Sequence, residues 1–317
     1  MQAMTQRALL LIAHGTRNPA VVGEADALCD LVAERLDIPV AMSWVEWDLI
    51  EPSPADAAVA LHADGAEELV TLPLLAFAAG HTKTDVPEEL AGITEALPDL
   101  PRRHGRVLGV HPSLTEHARS AIVTAREEAG WPERPGEDEA LLLTGPGSSD
   151  PDANGELAKA ARFVAEVTGH RWVEIAFAGV TWPKADVAVR RLIAGGAQRV
   201  SRFSWSLLAG VLEERVDGMI AEAAADSGLA VANAGRFGPI PALADAVADR
   251  YAEAVHGDPR SNCDLCQFRI PLAGRQARAG LPSAGGTGER VHPTAELIQA
   301  ARQAMPTFTD WKRAQLS

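Results

Sequence analysis

Cysteine is scarce in this chain: three occur in 317 residues, and two of them, Cys263 and Cys266, sit close together. That count argues against a disulfide framework and makes a reducing cytoplasm the expected compartment. Long hydrophobic runs are missing as well, so no membrane association is expected. The opening "MQAMTQRALLLIAHG" has one arginine, a short apolar run and no small-residue cleavage site behind it, and it reads as a buried strand rather than a signal peptide. Positive charge is in deficit. Lys and Arg number 29 against 43 Asp and Glu, a net charge of -14. A nucleic-acid partner would call for a basic face and is not expected, and a polyanionic ligand would need a local basic cluster. A phosphate-binding loop is lacking too, because "GGTGER" at 285–290 has neither the lysine nor the Ser/Thr that would hold a nucleotide.

What remains is ordinary globular material, 47% hydrophobic and 23% charged, long enough for one large domain or two common ones. Short apolar runs alternate with helical spacing. "RALLLIA" reads as a strand, "AVVGEADALCDLVAERL" as an amphipathic helix with Cys29 on its apolar face, and "VAMSWVEWDLI" as a strand. Next come "SPADAAVALHADG", a helix with Ser53 as cap and Gly65 at its end, and "AEELVTLPLLA", a strand. "TDVPEELAGITEAL" is a helix starting at Thr84 or Asp85, "HGRVLGV" a fourth strand, and "PSLTEHARSAIVTAREEAG" a helix. Such alternation predicts α/β architecture, an open, doubly wound parallel sheet.

The polar, acidic stretch 131–139 reads as a linker, after which the pattern restarts. "LLLIAHGTRNP" (9–19) returns as "LLLTGPGSSDP" (141–151), "ADAAV" as "ADVAV", "GAEEL" as "GAQRV", and Pro112 with Leu114 as Pro241 with Leu243, all about 130 residues on. The chain is therefore expected to be an internal duplication. Domains span 1–130 and 140–256, and a tail rich in Gly, Pro and Arg runs from 257 to 317.

Three histidines follow strands of the first half: His14 after the first, His81 after the third and His111 after the fourth. Ligands of open α/β sheets bind at the carboxyl ends of strands. The second half has Pro146, Val211 and Ile240 at the corresponding places, so it keeps the scaffold and drops every one of the three. Residues serving one shared site need only one copy, whereas core residues need two. Imidazoles so placed suit binding of a divalent transition metal or acceptance of protons, with Asp48, Glu51 and Asp85 as nearby carboxylates.

"AHGTRNP", "DLIEPSPADA", "GAEELVTLPLLAFAAGHTKTDVPEEL" and "GVHPSL" together resemble the sirohydrochlorin chelatases of the CbiX/SirB type, within the class II chelatases. The resemblance covers residues 7 to 130 and continues more faintly over 140 to 256. It implies two flavodoxin-like domains with a tetrapyrrole between them, and insertion of Fe²⁺ or Co²⁺ into sirohydrochlorin on the way to siroheme or cobalamin. It places the metal on His14 and His81, which also serve in catalysis. The family's carboxylate falls at Asp48, where this chain has aspartate in place of the family's glutamate, and His111 is a further candidate. Arg17, Lys83, Arg102 and Arg103 become candidates to meet the substrate's carboxylates. For the run 102–106 the alternative is a solvated loop before a strand. The chain lacks the histidine-rich tract of some cobalt-handling members, which favours iron.

Cys263 and Cys266 form only half of a tetrahedral thiolate site. Two chains could each supply one pair to an iron–sulfur cluster, implying a homodimer through the tail. His256 or His292 could complete a zinc site, or the pair could be a redox switch or simply free. Two readings compete with the enzyme: a metal or tetrapyrrole carrier, and a redox or iron sensor.

Overall fold

Residue pairings along the strands lay out two similar parallel sheets in the computed structural model, which describes residues 6–257. Cys263 and Cys266 lie outside the described residues. The first sheet has the order β2-β1-β3-β4, from β1 (Arg7–Ala13), β2 (Val40–Trp44), β3 (Glu68–Pro73) and β4 (Arg102–His104). The second repeats it as β6-β5-β7-β8, from β5 (Glu139–Gly145), β6 (Trp172–Phe177), β7 (Arg199–Ser204) and β8 (Ala230–Asn233). Every pairing is parallel.

Central β1 and β5 are continuous apolar runs because helices cover both faces of a parallel sheet. Leu9, Leu10, Leu11 and Ile12 are wholly buried, as are Leu141, Leu142 and Leu143. Each such side chain contributes roughly 1.5–3 kcal/mol, an upper estimate because the unfolded chain is already partly collapsed. The helices are α1 (Ala20–Leu36), α2 (Pro54–Ala63), α3 (Gly80–Lys83), α4 (Asp85–Ala96), α5 (Pro112–Glu128), α6 (Pro151–Thr168), α7 (Ala185–Ala194), α8 (Val211–Ala224) and α9 (Pro241–His256). Ser53 caps α2 as expected, its hydroxyl accepting from the Asp56 N–H at 3.1 Å, and Gly65 follows the helix at φ +107°.

The chain divides into two compact units. The first takes the described residues of 1–15, 29–108 and 247–317, and the second takes 16–28 and 109–246. The core of the first unit joins Ala8, Leu10 and Ile12 to Ala58, Leu61, Val86 and Ile93. The core of the second joins Ala140 and Leu142 to Val189, Leu192, Val200, Val216 and Ile220.

β4 lies earlier than expected. It is formed by Arg102–His104, paired with Leu69 to Thr71, and of the run "HGRVLGV" read as the fourth strand only His104 belongs to it. Beyond it the Gly105 N–H donates to the Thr71 carbonyl at 2.9 Å and the strand ends. In the second unit Glu139 is the first residue of β5 rather than linker, and its side chain is fully buried. Arg126 reaches it at 2.6 Å and also donates to the Pro132 and Glu133 carbonyls. Burial alone would raise the Glu139 carboxyl. Hydrogen bonds from His170, Arg126 and Ser201 outweigh it and hold the group at about 2.

Candidate metal centre

His14 is the first residue beyond β1, and His81 lies in the single turn α3 that follows β3. β1 and β3 are neighbours in the sheet, so the two loops leave its carboxyl edge side by side. The two imidazole Nε2 atoms are 2.9 Å apart, with ring planes at 77°. Two nitrogens each about 2.1 Å from one ion and about 90° apart would be separated by about 3.0 Å, so the observed spacing, that of an N–H···N hydrogen bond, also fits two ligands on one cation.

Glu46 completes the group. It follows β2, its Oε2 lies 3.5 Å from His14 Nδ1, and one ligand atom from each of His14, Glu46 and His81 falls within 4.8 Å of the others. The side chains are 44% (His14), 37% (Glu46) and 40% (His81) exposed. That leaves open positions on an ion, as a site that must release its metal requires. Gly15 makes the approach possible. Its φ is +104°, and a β-carbon there would stand 3.0 Å from the Glu46 Cβ.

The outer contacts are equally specific. His14 Nδ1 is 3.0 Å from the Gly15 carbonyl, and His81 Nδ1 is hydrogen-bonded to Asp85 Oδ2. The Thr84 hydroxyl donates to Asp85 Oδ1 at 2.7 Å. Glu89 lies one turn further along α4. Burial, reinforced by the charges of Glu88 and Asp85 and opposed by a hydrogen bond from Trp47, pushes its carboxyl up to about 7.

Among the described residues, none of the other ligand and cation candidates contributes an atom to the group of His14, Glu46 and His81. Asp48 is exposed and stands outside the grouped ligand atoms, and the carboxylate beside the histidines is Glu46, two positions earlier. His111 is buried and caps α5, its Nδ1 accepting from the Ser113 N–H at 3.3 Å and lying 2.8 Å from the Ser113 hydroxyl. Arg102 donates to the Leu97 and Pro98 carbonyls at the end of α4. Arg103 pairs with Glu68 at 2.6 Å and reaches the Val255 carbonyl, while Arg106 makes a two-pronged pair with Glu253. These guanidinium groups are engaged inside the first unit. Lys83 is 4% exposed, whereas Arg17 is exposed in the loop before α1.

The sequence model of the CbiX family matches residues 8–125 and 140–254. This chain belongs to the CbiX family. A sirohydrochlorin cobaltochelatase of Priestia megaterium is 31% identical to it over 268 residues, 84% of this chain and 86% of that protein. A sirohydrochlorin ferrochelatase of Bacillus subtilis (strain 168) is 28% identical over 163 residues, 51% of this chain and 59% of that one. Among solved structures, SirB from Bacillus subtilis with Fe3+ superposes with a TM-score of 0.66 at 23% identity, covering 79% of this chain and 96% of its own. That likeness shows the shared CbiX-type fold of paired α/β units. Among the described residues no helix is long and apolar enough to cross a membrane.

Proposed function

We propose that this member of the CbiX family is a sirohydrochlorin chelatase, which inserts a divalent metal into sirohydrochlorin without nucleotide hydrolysis. The observation that carries the reading is the grouping of His14, Glu46 and His81, two imidazoles and one carboxylate with room for further ligands. Its chemical support is direct. Metallation must strip water from the ion and remove two pyrrole N–H protons. An incomplete sphere of neutral imidazoles holds a hydrated dication without trapping it, and each imidazole accepts a proton as the metal leaves.

Both Fe²⁺ and Co²⁺ suit this donor set. The absent histidine-rich tract favours iron, while the relative covering 84% of the chain is named a cobaltochelatase and brings cobalt level. Arg17, the exposed cation of the sequence candidates, is assigned to a substrate carboxylate. The cytoplasm is the proposed compartment. An iron–sulfur cluster on Cys263 and Cys266, shared by two copies of the chain, belongs to the same proposal, and its test is the visible spectrum of anaerobically purified protein.

The assay mixes the full chain anaerobically with sirohydrochlorin and Fe²⁺ or Co²⁺ and follows the absorbance spectrum. Saturable conversion over many turnovers, abolished by His14→Ala or His81→Ala, is expected. A spectral change that stops at one equivalent per chain would instead make the protein a carrier.

A further inference from the structure

The two imidazoles of the candidate centre are held by unlike partners. His14 Nδ1 lies 3.0 Å from the carbonyl of Gly15, a neutral acceptor, with the Glu46 carboxylate further off at 3.5 Å. His81 Nδ1 is bonded to the carboxylate of Asp85. In both rings Nδ1 faces an oxygen acceptor, which leaves the two Nε2 atoms, 2.9 Å apart, as the nitrogens that can share a proton or ligate a cation.

Asp85 is itself fixed three ways. It is the first residue of α4, where the helix dipole favours a negative charge. Its Oδ1 accepts from the Thr84 hydroxyl, and its Oδ2 holds His81. A carboxylate on the far nitrogen of a metal-binding histidine locks the tautomer and makes the imidazole a stronger donor, whereas a peptide carbonyl does this more weakly.

We propose that Asp85 is a positioning residue that makes His81 the anchoring ligand of the pair and leaves His14 as the ligand that lets go first. The proposal rests on the metal-site reading above and adds an order to it: the bond to His14 opens before the bond to His81. Glu46, 3.5 Å from His14 Nδ1, stands on the side of the ligand that releases.

The test uses Co²⁺ alone as probe, with the full-length chain. Asp85→Asn keeps the side chain's size and an oxygen for Thr84 but removes the charge. It is expected to weaken Co²⁺ binding roughly 10- to 100-fold, through faster release. Ring ¹⁵N shifts of the metal-free protein are expected to show His81 losing its fixed Nδ1–H form while His14 keeps its own. His81→Ala is expected to cost more affinity than His14→Ala. Unchanged Co²⁺ affinity and an unchanged His81 tautomer in Asp85→Asn would overturn this proposal alone, as would greater loss in His14→Ala. Failure of the unaltered chain to bind Co²⁺ would overturn the metal-site reading and this proposal with it.

Discussion

Glu46 stands beside His14 because the parallel register of β1 and β2 continues past both strands. The Val45 N–H donates to the Ala13 carbonyl, and the Glu46 N–H donates to the His14 carbonyl at 2.9 Å. Asp48 lies beyond the point where that register ends and is turned to solvent. Glu46→Ala is accordingly expected to lower Co²⁺ affinity at least about 10-fold, no less than loss of an outer-shell partner costs, while Asp48→Ala leaves it unchanged; a metal titration of both variants decides. His14 was legible in the sequence because a polar residue directly after an apolar strand needs no further information to be placed, and His81 because it lies in the loop that follows the next strand of the same sheet. The glutamate was not, because its position depends on which residue of β2 pairs with Ala13, and periodicity alone leaves that open by a residue or two. Glu89 supports a different expectation. Its carboxyl, held up near 7 chiefly by burial, keeps a proton that the unfolded chain releases near the ordinary value of 4.5. Between those pH values the folded state binds more protons, so stability falls as pH rises from about 4.5 to about 7 and then levels off. Glu89→Gln removes this slope. The group is half-buried and solvent screens it, so the expected gain is about 1 kcal/mol at pH 8 and little at pH 5, read from thermal midpoints at both.

Elements were legible wherever local signals agreed, as in α2 with its serine cap, and less so where a tertiary contact sets a boundary. β4 falls on the charged run Arg102–His104 because that run pairs with Leu69 to Thr71, more than thirty positions earlier, and β5 begins at Glu139, where Arg126 pairs with a charge that composition had assigned to a linker. His111 shows the same effect on function. It follows a strand-like segment, as His14 and His81 follow strands, yet its ring closes the first turn of α5. His111→Asn, which can cap in its place, is expected to leave metal conversion and stability near those of the unaltered chain. His111→Ala is expected to cost about 1 kcal/mol of stability with conversion retained. Loss of conversion in both variants would return His111 to the site. Gly15 belongs to the other class, a turn residue that the chemistry depends on. Gly15→Ala forces a β-carbon into a left-handed conformation against Glu46, at about 1–2 kcal/mol. It is expected to weaken Co²⁺ binding while the far-ultraviolet circular dichroism stays unchanged.

At the scale of the whole molecule the duplicated chain has kept its strand order and its turn glycines while specialising one copy. Gly15 and its counterpart Gly147 both take positive φ, +104° and +82°, but proline follows the second strand's end where histidine follows the first. The whole chain is also acidic, at -14, and the arginines at 102, 103 and 106 that looked available to a polycarboxylate are paired within the fold. The long-range field of such a protein attracts a dication and repels a macrocycle carrying several carboxylates. Salt screens both effects. Raising ionic strength from about 0.01 to 0.3 M shortens the Debye length from about 30 Å to well under 10 Å, so the two substrates respond in opposite senses. kcat/KM for the metal is expected to fall and kcat/KM for sirohydrochlorin to rise, each by a few-fold, in steady-state measurements that vary one substrate at saturating levels of the other. If kcat/KM for sirohydrochlorin falls instead, a local cluster of cations built around groups such as Arg17 governs its capture, and the net charge of the chain is not what the tetrapyrrole meets.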